Sequence, residues 1–277
     1  MRLAISNLAW NTADDESVAS LLGKYAIDAI DVAPGKYFPD IKASPAREID
    51  RVRTWWQDRG TAITGMQALL FGTSGLNVFG DPAIQKSMLE HLDAIARIGA
   101  GLGATRLVFG SPKNRDRSAL SNERTRVVAV DFFRRLGDIA SSRGVVFCLE
   151  PNPVCYGANF MTDSAETAEV VEAVAHSAIR MQLDTGAITI NGEDPALVVE
   201  KYGALIGHVH ASEPDLVTLG DGKTDHAAVA SVLEKHLPSQ IVSIEMLQAK
   251  NESNPAAMER ALGVAIHYYR GGKEVRK

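Results

Sequence analysis

Apolar residues along this chain alternate between two rhythms. Short apolar runs begin near Leu3, Ile27, Ala62, Arg106, Val145, Met181, Ile206 and Ile241, and each is followed by a longer stretch with apolar residues at helical spacing. Between Ile84 and Ile98, for example, Met88, Leu89, Leu92 and Ile95 form one stripe. Helix starts are marked where a capping side chain precedes a proline, at Ser44-Pro45, Asp81-Pro82, Asp194-Pro195 and Asn254-Pro255. Asp163-Ser164-Ala165-Glu166 reads as a capping box. Repeated strand–helix units without a Pro/Gly/Ser-rich linker predict an α/β fold, a single (β/α)8 TIM barrel over residues 1–270 with a frayed tail over 271–277. A doubly wound open sheet is the alternative. No Gly-x-Gly-x-x-Gly turn follows the first strand, which removes the usual reason to prefer a dinucleotide fold.

The length of 277 residues suits this barrel, and 45% hydrophobic content is enough for a large core. The net charge of −5 argues against a nucleic-acid surface, which needs a basic face. No apolar run reaches bilayer-spanning length, so no membrane partner is expected. The chain enters a strand directly at Met1-Arg2-Leu3 with no apolar leader. Cys148 and Cys155 make neither a disulfide framework nor a Cys-x-x-Cys site, and a reducing cytoplasm is the expected compartment.

Four strings in the C-terminal half then change the picture: Leu149-Glu150-Pro151-Asn152, Gln182-Leu183-Asp184-Thr185-Gly186, Gly207-His208-Val209-His210 and Ser243-Ile244-Glu245-Met246. Each ends a predicted strand on a metal-type ligand. Strand C-termini meet at one mouth of a barrel, where barrel enzymes keep their chemistry. Counting back by two gives Cys148, Gln182, His208 and Ser243 as inward neighbours, a polar layer where a purely structural core would carry Val, Ile or Leu. Alone, any one such acid reads as a helix cap or a surface group; four in register over a polar layer read as a site. Glu150, Asp184, His210 and Glu245 form an oxygen-rich set suited to one divalent ion, Mn, Mg, Co or catalytic Zn. Two glutamates on different strands can remove and return a proton beside such an ion.

These strings resemble those of the xylose-isomerase-like TIM-barrel superfamily, the sugar phosphate isomerase/epimerase group that also contains ketose 3-epimerases, inosose dehydratase and endonuclease IV. The resemblance covers essentially the whole chain. It implies a metal-dependent isomerase or epimerase of a sugar or sugar derivative. Glu150 and Glu245 would be the acid/base pair working through an enediolate, with Asp184 and His210 as ligands only. The stretch Leu219 to Asp225 resembles the glycine-rich turn after the seventh strand. Two positions depart from the epimerases: Ala187 stands where they have a histidine, and Leu216 where they have an arginine beyond Glu213.

Around this core, Asn7, Trp10, Asp31, Gln67, Asn152, His208 and Glu213 are candidate substrate contacts. Trp10 reads equally as a rim aromatic, and His208 as a hydrogen-bonded core residue. His226 reads as a helix-start residue. Lys113, Arg115 and Arg117 in the fourth loop are expected to bind a phosphate or carboxylate of the substrate, or else to be a solvated loop. The glycine-punctuated loop Leu70 to Gly80 is either a lid or a subunit contact in a homo-oligomer. Competing functions are a dehydratase of a polyol-derived ketone, a non-catalytic sugar-binding barrel and, disfavoured by the acidic charge and the lack of further histidines, a DNA-repair nuclease.

Overall fold

The computed structural model describes Met1–Gly271; the tail expected to fray lies outside the described residues except for Gly271. Eight strands close a parallel barrel in chain order: β1 Arg2–Ser6, β2 Ala29–Val32, β3 Ala62–Met66, β4 Arg106–Phe109, β5 Val146–Leu149, β6 Ile179–Asp184, β7 Ile206–Ser212 and β8 Ile241–Glu245. Closure is made by β1 on β8, with Leu3 opposite Val242 and Ile5 opposite Ile244. The open-sheet alternative is thereby excluded. Every strand start lies within two residues of the position the apolar runs indicate.

The helices are α1 Asp15–Lys24, α2 Ala46–Gln57, α3 Pro82–Leu102, α4 Asn122–Arg143, α5 Ser164–Val174, α6 Thr185–Asn191, α7 Pro195–Tyr202, α8 His226–His236 and α9 Asn254–Tyr269. In α3 the stripe of Met88, Leu92 and Ile95 is wholly buried against the sheet, and Leu89 packs at its edge. Asp81 and Asp194 cap their helices as expected, accepting from Ala83 and Ile84 and from Ala196. Asp163 accepts from the Glu166 amide, but the Glu166 carboxylate turns to Thr162, so the box is closed on one side only. At α2 and α9 no side chain caps the first turn. No described helix is long and apolar enough to cross a membrane.

The inner surface of the barrel is polar toward the strand C-termini. Cys148, Gln182, His208 and Ser243 are all buried there, as alternation from the strand ends requires. Register shifts at Ile30/Asp31 on β2 and at Met181/Gln182 on β6 disturb the pairing beside this layer. Gly65 on β3 makes room for the Asp31 carboxylate, which a Cβ at that position would overlap.

Candidate metal centre

Four consecutive strands deliver Glu150, Asp184, His210 and Glu245 to one end of the barrel. One ligand atom from each lies within 4.8 Å of the others. His210 Nδ1 stands 3.2 Å from Glu245 Oε2 and 3.5 Å from Glu150 Oε1. His210 is fully buried, whereas both glutamates keep 13% of their side chains open to the cavity above. Glu150 and Glu245 come from the two ends of the β5–β8 arc and so bracket the other two ligands.

The local sequence explains why each side chain is held. Asp184 ends β6 and caps α6 in the same step: its Oδ1 accepts from the Ala187 amide at 2.7 Å and its Oδ2 from Ser212 Oγ at 2.6 Å. Thr185 Oγ1 donates to the Ser212 carbonyl, tying β6 to β7. Gly186 approaches the Glu213 backbone so closely that a Cβ would have to displace it. Beside β5, Asn152 Nδ2 donates to Glu150 Oε2 at 3.2 Å, and Gly110 leaves the space that the Glu150 carboxylate fills. Gln67, just past β3, donates its amide to Glu245 Oε1.

Burial, with the charges of Glu150 and Glu245 added, pushes Asp184 up to about 7. Burial alone would lower His210, but the Glu245 charge and the close approach of both glutamates overcome it and raise His210 well above the ordinary imidazole range. Glu150 Oε1 and His210 Nε2 are buried without a hydrogen-bond partner. Crowded carboxylates, an imidazole among them and an unpartnered buried oxygen together fit a divalent cation. A second group, Asp31, His208 and His210, lies deeper and is fully buried. There Asp31 is already satisfied by His208 Nε2 at 2.7 Å and Thr64 Oγ1 at 3.1 Å. Burial would raise Asp31, but His208 draws it down to about 2. This lower group shares His210, with Asp31 Oδ2 3.9 Å from its Nε2, and lacks an opening to the cavity. It braces the upper one from below.

The cavity over the ligands measures about 550 Å³, within the usual range for small-molecule sites. Among the expected substrate contacts, Gln67, Lys113 and Asn152 line it. The others do not. Trp10 is fully buried against Trp56 and donates to Asp15, so neither its rim placement nor its substrate contact holds. Asn7 is buried and accepts from the Ala33 amide, fixing the β2 exit. His208 is in the layer below, bonded to Asp31. Arg115 is enclosed and donates to the Glu150 carbonyl at 2.7 Å, while Arg117 turns to Asn159 and Asn122. The expected three-cation anion site is therefore reduced to Lys113, because burial beneath β5 captured one arginine and the neighbouring loop captured the other.

Glu213 is buried and accepts from the Gly220 and Thr224 amides and from His226 Nε2, each at 3.0 Å. The glycine-rich turn wraps this carboxylate, so Glu213 shapes the loop instead of meeting substrate. Burial opposes its ionisation, but the His226 bond and the two amides hold it down at about 2. Loop Leu70–Gly80 is pinned along its second half by Val78 and Asn77 to the loop after β4, and it leaves Phe71 over the cavity. Sequence reasoning missed Ser212, although it continues the inward alternation from His210. It also missed Tyr156 and Leu247, loop residues for which periodicity carries no signal.

No curated protein sequence matches the chain. Solved structures that share its fold include D-psicose 3-epimerase with D-tagatose from Clostridium cellulolyticum H10, with TM-score 0.80 and 17% identity over 98% of this chain and 99% of that one. The 3-keto-D-glucoside 4-epimerase of E. coli follows at TM-score 0.77 and 16% identity, over 95% and 98%. The IolI protein with a bound zinc atom gives TM-score 0.76 and 19% identity over 99% and 100%. A family model described as xylose isomerase-like TIM barrel matches residues 19–265. On that match the chain belongs to the xylose isomerase-like TIM-barrel family.

Proposed function

We propose that this protein is a metal-dependent isomerase or epimerase of a sugar derivative. The observation that carries the reading is the ligand arc itself, in which two cavity-facing glutamates bracket a buried aspartate and histidine. A divalent ion held by Glu150, Asp184, His210 and Glu245 would supply Lewis-acid polarisation of a substrate carbonyl or hydroxyl. The epimerases and the zinc-bearing IolI barrel among the structural neighbours support the same reading.

The chain's own residues divide the remaining work. One glutamate takes the proton from the carbon beside the substrate carbonyl, and the bond electrons pass to the carbonyl oxygen to give an enediolate. The other glutamate returns a proton to carbon. Gln67 and Asn152 each aim one of the two carboxylates, so neither has to reorient during the transfer. Lys113, which lines the cavity, would hold a substrate oxygen through its ammonium.

The test is proton exchange from deuterated solvent into a keto-sugar panel, alongside metal content per chain. The expected result is one divalent ion per chain, lost in Asp184→Asn and His210→Ala, and exchange abolished in Glu150→Gln and in Glu245→Gln. Exchange surviving in both glutamate variants, or no metal uptake by the wild type, would overturn the proposal.

A further inference from the structure

The cavity is polar at its floor and apolar on its walls. Gln67, Glu150, Asp184 and Glu245 make the floor, and the walls are built largely from Leu8, Leu69, Phe71, Pro153, Leu216 and Leu247. Phe71 is 86% exposed and Leu247 48% exposed, so large apolar surface faces the mouth with no protein group covering it. At about 550 Å³ the cavity has the size of sites that take drug-sized ligands, larger than a single hexose. A bare sugar on the floor would leave the walls wet.

The wall is also built, not incidental. Asp215 and Leu216 both adopt left-handed backbone conformations, with φ of 59° and 52°. The strain is held by the Leu216 amide on the Glu213 carbonyl at 3.0 Å and by the Leu247 amide on the Leu216 carbonyl at 2.9 Å. Tyr156 Oη accepts from the Asp215 amide at 2.7 Å across the mouth. Three loops thus cooperate to hold a leucine against the cavity. Opposing charge is sparse: Lys113 is the one cation among the described residues lining this space, because Arg115 and Arg117 are bonded elsewhere.

We infer that the substrate is a sugar derivative carrying an apolar substituent, an aryl or alkyl group on one of its oxygens, and not a free or phosphorylated sugar. This rests on the proposed proton-transfer function and specifies its substrate class. The sugar part meets the ligands at the floor, and the substituent covers Leu216, Leu247 and Phe71.

Calorimetric titration of the metal-loaded protein with phenyl and methyl D-glucosides, D-fructose and D-fructose 6-phosphate tests it. The phenyl glucoside is expected to bind at least about tenfold tighter than the other three, the gain of burying one ring. Leu216→Arg and the milder Leu247→Ser should each remove that preference while metal content stays at one per chain. Equal affinity for phenyl and methyl glucosides, no binding of the phenyl glucoside, or tighter binding of fructose 6-phosphate would overturn the inference. With metal still bound, those outcomes leave the proposed function standing; loss of metal binding in the wild type defeats that function instead.

Discussion

At the scale of single residues, the positions around the ligands matter as much as the ligands. Gly110 follows β4 with an ordinary backbone, yet a Cβ there would overlap the Glu150 carboxylate. Gly110→Ala is therefore expected to leave the fold intact and to move Glu150 off its bond with Asn152. Displacing an oriented ligand lowers metal affinity or turnover by about 10- to 100-fold. Metal titration with unfolding temperature as the control checks this; unchanged affinity and exchange would show that Glu150 tolerates displacement. Asp184 illustrates how much of this scale the sequence discloses. Its place at the end of an apolar run and its following Thr185-Gly186 mark it as a ligand that also caps a helix, because strand alternation and capping are local. The fate of Arg115 was not legible in the same way. A guanidinium that folds under β5 to the Glu150 carbonyl does so through tertiary contacts, and nothing in the Ser111 to Arg117 string distinguishes that from a solvated or anion-binding arginine.

At the scale of elements, the turn joining β7 to α8 has one buried acid as its organiser. Glu213 collects the Gly220 and Thr224 amides and His226, and His226 in turn meets Tyr269 of α9 at 2.7 Å. A carboxylate whose folded-state pKa lies near 2, below the ordinary 4.5, adds stability that is fully present above 4.5 and is lost as pH falls toward 2. With solvent screening at this loop allowed for, that contribution is about 1–2 kcal/mol. Glu213→Gln should therefore lower the unfolding temperature at pH 7, and the gap to wild type should narrow below pH 4.5 and close as pH falls through about 2. A pH-independent difference in thermal melts would assign the loss to packing instead of charge. Strands and helices here were readable because each repeats one period, while the turn was readable only as a glycine-rich string. Its conformation depends on a carboxylate that comes from another element's end and points into it.

At the scale of the whole molecule, the ligands create a tension that links function to stability. β5 to β8 form half of the closed barrel, and each carries one ligand to the same small volume. Without a cation, three carboxylates crowd around His210, and Asp184 is raised to about 7 by its burial first and by the charges of Glu150 and Glu245 after it. Sites assembled for chemistry commonly weaken the fold that carries them. Two consequences follow from the same physics. A divalent ion at about 100 times its dissociation constant should stabilise the native chain by about 2.7 kcal/mol. For a chain of this size that corresponds to a rise of roughly 5–10 °C in unfolding temperature. In chelator the order of variants should reverse the usual expectation for a buried substitution. Asp184→Asn keeps an acceptor for the Ala187 amide and removes one of the converging charges, so its metal-free form should melt no lower than metal-free wild type. With metal present the wild type should melt higher than the variant. Scanning calorimetry of both proteins, with manganese and with chelator, reads all four values. If Asp184→Asn melts below the wild type in chelator, the carboxylates are not in repulsion and the case for a charge-driven cation site loses its energetic basis.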